Sequence, residues 1–353
     1  MVTARWWQTL ADGRVECDLC PRECTLQEGQ RGFCFVRQRQ GDQLVLTTYG
    51  RSSGFCLDPI EKKPLHHFHP GTSVLSFGTA GCNLGCKFCQ NWDLSKSNEM
   101  DTLANEASPE AIASAAARAG AKSVAYTYND PTIFAEYAID VAQACRALGV
   151  LNVAVTAGYI HDAPRRELYA EMDAANVDLK AFSEDFYWKI TGAHLEPVKD
   201  TLRYLVHETR VWTEITTLLI PGLNDSDAEL AALTHFVAEE LGPDVPLHFS
   251  AFHPDYKLTN VPPTPPATLR RARQIGLQAG LHYVYTGNIH DPEGDATHCP
   301  GCGQVVIARD WYRLDAYRLD PSGHCQECGT MVPGRWSTPG DFGRRRERLH
   351  ITP

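Results

Sequence analysis

The strongest constraint on this chain is an alternation that starts near residue 73. Short apolar runs (SVLSFGT, SVAYTY, NVAVTAG, VDLKAF, VWTEITTLLIPG, LHFSAF and HYVYTGN) are separated by segments with helical patterning. The helical segments carry their own punctuation. In SPEAIASAAARAG, Ser108 fits an N-cap, Pro109 the first helical position and Gly120 the exit; Pro131 and Gly149 bracket the next helix. Runs of four to seven apolar residues, rather than an in/out alternation, predict strands buried on both faces of a parallel sheet. Strand–helix–strand repeats connect by right-handed crossovers, which leaves a barrel or a doubly wound sheet. In both, chemistry sits at the C-terminal ends of the strands. Polar residues collect there: Asn129, Asp130, Thr156, Asp178, Lys180, His253 and Asn288.

The alternation divides the chain of 353 residues into three parts. Residues 1–60 are turn-rich and cysteine-bearing, 61–292 form the strand–helix core, and 293–353 form a second cysteine-bearing tail. The chain carries a formal charge of −10, which argues against nucleic acid as a partner. The local basic stretch GRRRERL at 343–349 reads as a solvated tail. Apolar runs are too short for a membrane span, and the first residues lack an apolar core with a cleavage site, so the expectation is cytoplasmic.

Thirteen cysteines in such a chain point to metal or redox chemistry rather than to disulfides. Cys17, Cys20, Cys24 and Cys34 form one set, with thiolates enough for tetrahedral zinc or an iron–sulfur cluster. Cys299, Cys302, Cys325 and Cys328 form two CxxC knuckles, each followed by a glycine suited to positive φ. They read as a zinc-ribbon or rubredoxin-like site holding zinc or iron. Cys56 and Cys145 stand alone and read as small buried apolar residues. His67 and His69 of HHFHPG would share a face in a strand, and read as aromatic packing rather than a ligand pair.

The third set has only three members, Cys82, Cys86 and Cys89, directly after the first apolar run of the core. Three thiolates on a four-iron cubane leave one iron open. This C-x3-C-x2-C loop, with Phe88 before its last cysteine, resembles the signature of the radical S-adenosylmethionine (radical SAM) superfamily. That resemblance implies a partial (β/α)6 TIM-like barrel, a [4Fe–4S] cluster on Cys82, Cys86 and Cys89, and S-adenosylmethionine chelated at the open iron. It also implies reductive cleavage to a 5′-deoxyadenosyl radical that takes a hydrogen atom from a substrate, and a one-electron donor such as flavodoxin or ferredoxin.

Further segments resemble the glycyl-radical-enzyme activases. CQNW puts Asn91 near the cluster or cofactor. YTYNDPT takes the place of a Gly-Gly-Glu stretch, with Asn129 and Asp130 as cofactor contacts beside Thr156. VDLKAF offers Asp178 and Lys180, and FSAFHP offers His253. Glu214 stands where an arginine is usual. DPIEKKPLHHFHPG, GCKFCQNW, TGAHLEPV and FHPDYKLTNVPPT together resemble the radical SAM enzyme of the AmmeMemoRadiSam system, which implies AMMECR1-like and Memo-like partner proteins. An activase-like protein substrate follows from the resemblance. Two other readings stay open: aminocarboxypropyl transfer to a small molecule, and a metal-scaffolded interaction protein without turnover.

Overall fold

In a computed structural model the described residues are 1–96, 105–343 and 345–351. Their main element is a nine-stranded sheet. Its strands are β1 (Phe55–Pro59), β2 (Ser73–Phe77), β3 (Ser123–Tyr126), β4 (Leu151–Thr156), β5 (Ala174–Asp178), β6 (Trp212–Leu219), β7 (Leu247–Ala251), β8 (Val284–Gly287) and β9 (Glu347–Leu349). β2 to β8 run parallel, each paired with the next in sequence. A doubly wound sheet would reverse its order at a switch point; this one never does. The wall is therefore of barrel type, six strand–helix units and a seventh strand, and it stays open between β8 and the antiparallel edge formed by β1 and β9.

Helices α1 (Pro109–Arg118), α2 (Ala135–Ala147), α3 (Asp162–Tyr169), α4 (Glu196–Glu208), α5 (Asp227–His235) and α6 (Pro266–Gln278) fall between consecutive strands. The caps follow the sequence signals. Ser108 Oγ accepts from the Ala111 N–H at 3.2 Å, Ser226 Oγ from Glu229 at 3.3 Å, and Gly120 and Gly149 take φ of 67° and 71°. Two boundaries differ: the strand read at VDLKAF runs from Ala174 to Asp178, so Lys180 lies past its end, and Pro131 opens a 3-10 turn that leads into α2.

Alternate strand residues face two cores. Leu75, Phe77, Val124, Tyr126 and Ala154 pack with the helices. Val74, Ala125, Val153 and Ala174 pack against Ile60, Leu65 and Phe68, from the strap that joins β1 to β2. The strap therefore seals the inner face near the N-terminal ends of the strands. The C-terminal four-cysteine ribbon docks on the same end: Tyr283 and Tyr285 pack with Val306, Ile307, Leu319 and Val332. Arg309 donates to the His66 carbonyl at 2.8 Å, and the Arg335 N–H to the His67 carbonyl at 2.7 Å. The basic stretch at 343–349 is not a free tail, because Glu347–Leu349 return as β9 against β1; Arg344 lies outside the described residues.

Candidate active site

β2 ends at Phe77, and the chain enters the three-cysteine loop at the C-terminal end of the parallel strands. The entry is tight. A Cβ on Gly78 would lie 2.3 Å from the Thr127 carbonyl oxygen and 2.7 Å from Asn129 Oδ1, so only glycine lets the loop cross the β3 turn. Asn129 then braces the loop: its Oδ1 accepts from the Thr79 N–H at 3.3 Å and its Nδ2 donates to the Gly81 carbonyl at 2.9 Å. Asn91 Nδ2 donates to the Tyr128 carbonyl at 2.9 Å. Further on, the Gly85 and Lys87 N–H groups donate to Thr191 and Ile190 at 2.7 and 3.0 Å, and the Lys257 N–H to Lys87 at 3.0 Å. Trp92 stacks on Tyr256 and donates to Asp255 at 3.0 Å. The loop is thus fastened by three separate segments.

Burial pushes the Cys82 thiol up to about 12, and raises Cys86 as well. Two cations oppose it, Lys96 acting on both sulfurs and Lys180 on Cys86. Buried thiols become thiolates only with such cations or with a metal. Lys180 pairs with Asp178 at 3.0 Å and lies 5.9 Å from the Phe88 ring centroid. Burial disfavours its charge, but Asp178 and Cys86 outweigh burial and its pKa is raised. Lys96, absent from the sequence-predicted set, also donates to the Leu84 carbonyl. Its signal was available as the one basic side chain closing NWDLSK.

Asp130 and Thr156 are both buried. The Asp130 carboxylate accepts from the Thr132 N–H at 2.9 Å, the Ala157 N–H at 2.8 Å and the Thr156 hydroxyl at 3.1 Å. Its acceptors are engaged in clamping the ends of β3 and β4 together. His253 is exposed just past β7, on the same end of the sheet.

Glu214 is elsewhere. It sits near the start of β6 and accepts from the His66 and His67 N–H groups, Trp212 Nε1 and His248 Nε2 at 2.7–3.0 Å. His66 Nδ1 lies 3.1 Å from His248 Nδ1, and His66 Nε2 lies 3.1 Å from Asp295. These ligand-type groups lie close enough for an ion, but they sit at the strand ends opposite the cysteine loop. His67 and His69 do not pair: His67 bonds Pro333 and Tyr285, His69 bonds Ser337, and His69 has φ 45°.

In the ribbon all four sulfurs lie within 4.8 Å of one another, with Cys299–Cys328 at 3.5 Å and Cys302–Cys325 at 3.9 Å. Zinc–sulfur bonds of about 2.3 Å require sulfurs about 3.8 Å apart, so one tetrahedral ion fits. Gly303 and Gly329 take the expected positive φ of 73° and 76°. Their N–H groups go to the Cys299 and Cys325 carbonyls rather than to sulfur. Cys56 and Cys145 are buried, as expected of apolar residues.

Residues 77–234 match the Radical SAM superfamily. Over 333 residues the chain is 42% identical to an uncharacterised protein of Methanocaldococcus jannaschii, covering 94% of this chain and 99% of that one. It is 28% identical over 181 residues to a pyruvate formate-lyase-activating enzyme of Staphylococcus epidermidis, covering 48% of this chain and 70% of that enzyme. Among solved structures, a radical SAM methyltransferase from Sphaerobacter thermophilus is similar at 16% identity, with a TM-score of 0.47, 81% of this chain and 76% of that chain covered. Among the described residues no helix is long and apolar enough to cross a membrane.

Proposed function

The chain belongs to the radical SAM superfamily, and from that premise we propose that Cys82, Cys86 and Cys89 hold a [4Fe–4S] cluster whose open iron binds S-adenosylmethionine. The observation that carries the reading is the loop itself: three thiols at the C-terminal end of the first parallel strand, flanked by Lys96 and Lys180. The residues fit a cluster better than a single ion. Their sulfurs are not among the groups gathered within 4.8 Å, whereas a cubane spreads its ligands over separate irons. When bound, the group supplies the electron that cleaves S-adenosylmethionine to a 5′-deoxyadenosyl radical, which takes hydrogen from the substrate.

The chain's own residues supply position and charge. Lys180, held by Asp178 at 3.0 Å, is one of the two cations acting on Cys86 and is the residue to meet the cofactor carboxylate. Asn91 and Asn129 fix the loop backbone. Asp130 and Thr156 act as positioning residues by holding the β3 and β4 turns, and His253 borders the mouth. The enzyme draws its electron from a low-potential donor of the flavodoxin or ferredoxin class. Similarity to the pyruvate formate-lyase-activating enzymes supports a protein substrate, and the resemblance to the AmmeMemoRadiSam enzyme supports AMMECR1-like and Memo-like partners. The ribbon holds zinc or iron as a structural clip.

Anaerobic reconstitution, followed by dithionite and S-adenosylmethionine, tests this. 5′-Deoxyadenosine is the expected nucleoside, lost in Cys86→Ala. 5′-Methylthioadenosine would instead mean aminocarboxypropyl transfer. Neither product, with zinc in all three cysteine sites, would overturn the enzyme.

A further inference from the structure

We propose that Cys17, Cys20, Cys24 and Cys34 hold a polynuclear iron–sulfur cluster, a second redox centre that shares a wall with the Cys82 loop. This chain carries its own standard of comparison. The ribbon sulfurs gather within 4.8 Å, as one tetrahedral ion requires; among the described residues no three of the N-terminal sulfurs do so. Yet all four N-terminal cysteines line one pocket, together with Arg37 and Asn83. Four thiols around a common space, too far apart to touch one ion, match a centre in which each thiolate holds its own iron and sulfide fills the middle.

The cavity wall is prepared for negative charge. Arg37 is 1% exposed, and its Nε–H has no hydrogen-bond partner. Its positive charge acts on the Cys17 and Cys34 sulfurs, while the outer edge of the guanidinium is tied to Glu136 and the Arg5 carbonyl. A buried donor left unmade is costly; a cluster sulfur would satisfy it. The Phe33 N–H already donates to Cys24 Sγ at 3.4 Å. Glu23 and Phe35, the neighbours of Cys24 and Cys34, take φ of 45° and 70°. Non-glycine residues in the left-handed region are strained, and such strain collects at sites the surrounding structure holds in place.

The position gives the centre its partner. Asn83, next to Cys82, lines the cavity. On the other side of Cys82, a Cβ on Gly81 would lie 2.0 Å from the Cys34 carbonyl oxygen, so the two cysteine loops touch through their backbones. Arg22 donates to both the Asn83 and the Gly192 carbonyls and pins the two loops together. The step the geometry serves is one electron: the N-terminal centre is oxidised as the Cys82 cluster is reduced, and an external reductant of the flavodoxin or ferredoxin class resupplies it. No bond or proton moves.

The test is a metal count on the triple variant Cys82→Ala, Cys86→Ala, Cys89→Ala, which leaves the N-terminal site untouched. After anaerobic reconstitution it should retain about four irons and about four acid-labile sulfides, one zinc in the ribbon, and a paramagnetic signal on dithionite reduction. Two zinc ions and no iron, or an empty N-terminal site, would overturn the proposal. The wild type should hold about eight irons and one zinc, against about four and two if the site is mononuclear. That count decides the matter should the variant not fold. The outcome is separate from the SAM reading, since nucleoside release from the wild type tests that reading alone.

Discussion

Replacing Glu214 by glutamine should damage the end of the barrel wall remote from the cysteine loop. Glu214 is fully buried, and each of its oxygens accepts two hydrogen bonds: Oε1 from the His67 N–H (2.8 Å) and Trp212 Nε1 (2.9 Å), Oε2 from the His66 N–H (3.0 Å) and His248 Nε2 (2.7 Å). A glutamine keeps one acceptor oxygen. With its NH2 on the Oε2 side, His248 can switch tautomer and accept, but the His66 N–H cannot. One buried donor then faces another, at about 1–3 kcal/mol, and the remaining bonds lose their charge assistance. The loss totals about 3 kcal/mol, which for a chain of this size is about 4 °C in Tm.

The pH dependence separates this mechanism from a general packing defect. Burial is the largest single effect and favours the neutral acid, but the His248 hydrogen bond and the charge interactions with His248, His67 and His66 together outweigh it, and Glu214 is held down to about 2 from 4.5. A folded value below the unfolded one means stability that is present above pH 4.5 and lost as pH falls toward 2, about 3 kcal/mol in all. His67 is pushed by burial down to about 4 from 6.5. The fold holds its neutral ring, so wild type and variant alike lose stability as pH falls from 6.5 to 4. Thermal unfolding of zinc-loaded protein should therefore give two curves that decline in parallel from pH 6.5, separated by about 4 °C, and converge only below pH 4.5. A gap under 1 °C at pH 7.5, or one that closes by pH 5.5, would refute the anchoring role.

Gly78→Ala forces a Cβ against the Thr127 carbonyl at 2.3 Å. The expected outcome is a folded protein whose iron content falls by about four per chain, read by iron analysis. Lys180→Met should keep the iron and weaken S-adenosylmethionine binding at least about tenfold, or about 1.4 kcal/mol, by calorimetry; unchanged affinity would remove Lys180 from the cofactor site. Cys302→Ser should release one zinc equivalent without altering iron, and should lower Tm, because the ribbon covers the strap through Arg309 and Arg335.

The features legible in the sequence are those set by near neighbours. Strand–helix alternation, the Ser108 and Ser226 caps, the glycine exits and the CxxC knuckles each depend on a few consecutive residues, and each is found where the pattern puts it. The edge strands were hidden for the opposite reason. FCLDP and ERL are short and mixed in polarity; β1 finds its partner on the open edge of β2, and β9 finds its partner on β1. The same holds for Glu214, which is joined to His66 and His248 across 148 and 34 positions. A carboxylate at a strand residue reads from sequence as a site group, because nothing local reveals which end of the strand it occupies or what has folded beneath it.

Asp130 makes the same point at the functional end. By position it is a candidate to receive a ligand's ammonium, but three donors from its own turn and from β4 already occupy it. Composition and spacing report the chemical type of a side chain, not how many of its lone pairs the fold consumes. The cysteines differ in this respect. Within the fold, thiol sulfurs find only weak donors, such as the N–H groups of Leu84 and Phe33 at 3.4 Å. Their grouping in the sequence therefore survives as grouping in space: at the ribbon, along the N-terminal cavity and on the loop after β2. That is why the sequence is more informative about the cysteine sites of this protein than about the polar residues that surround them.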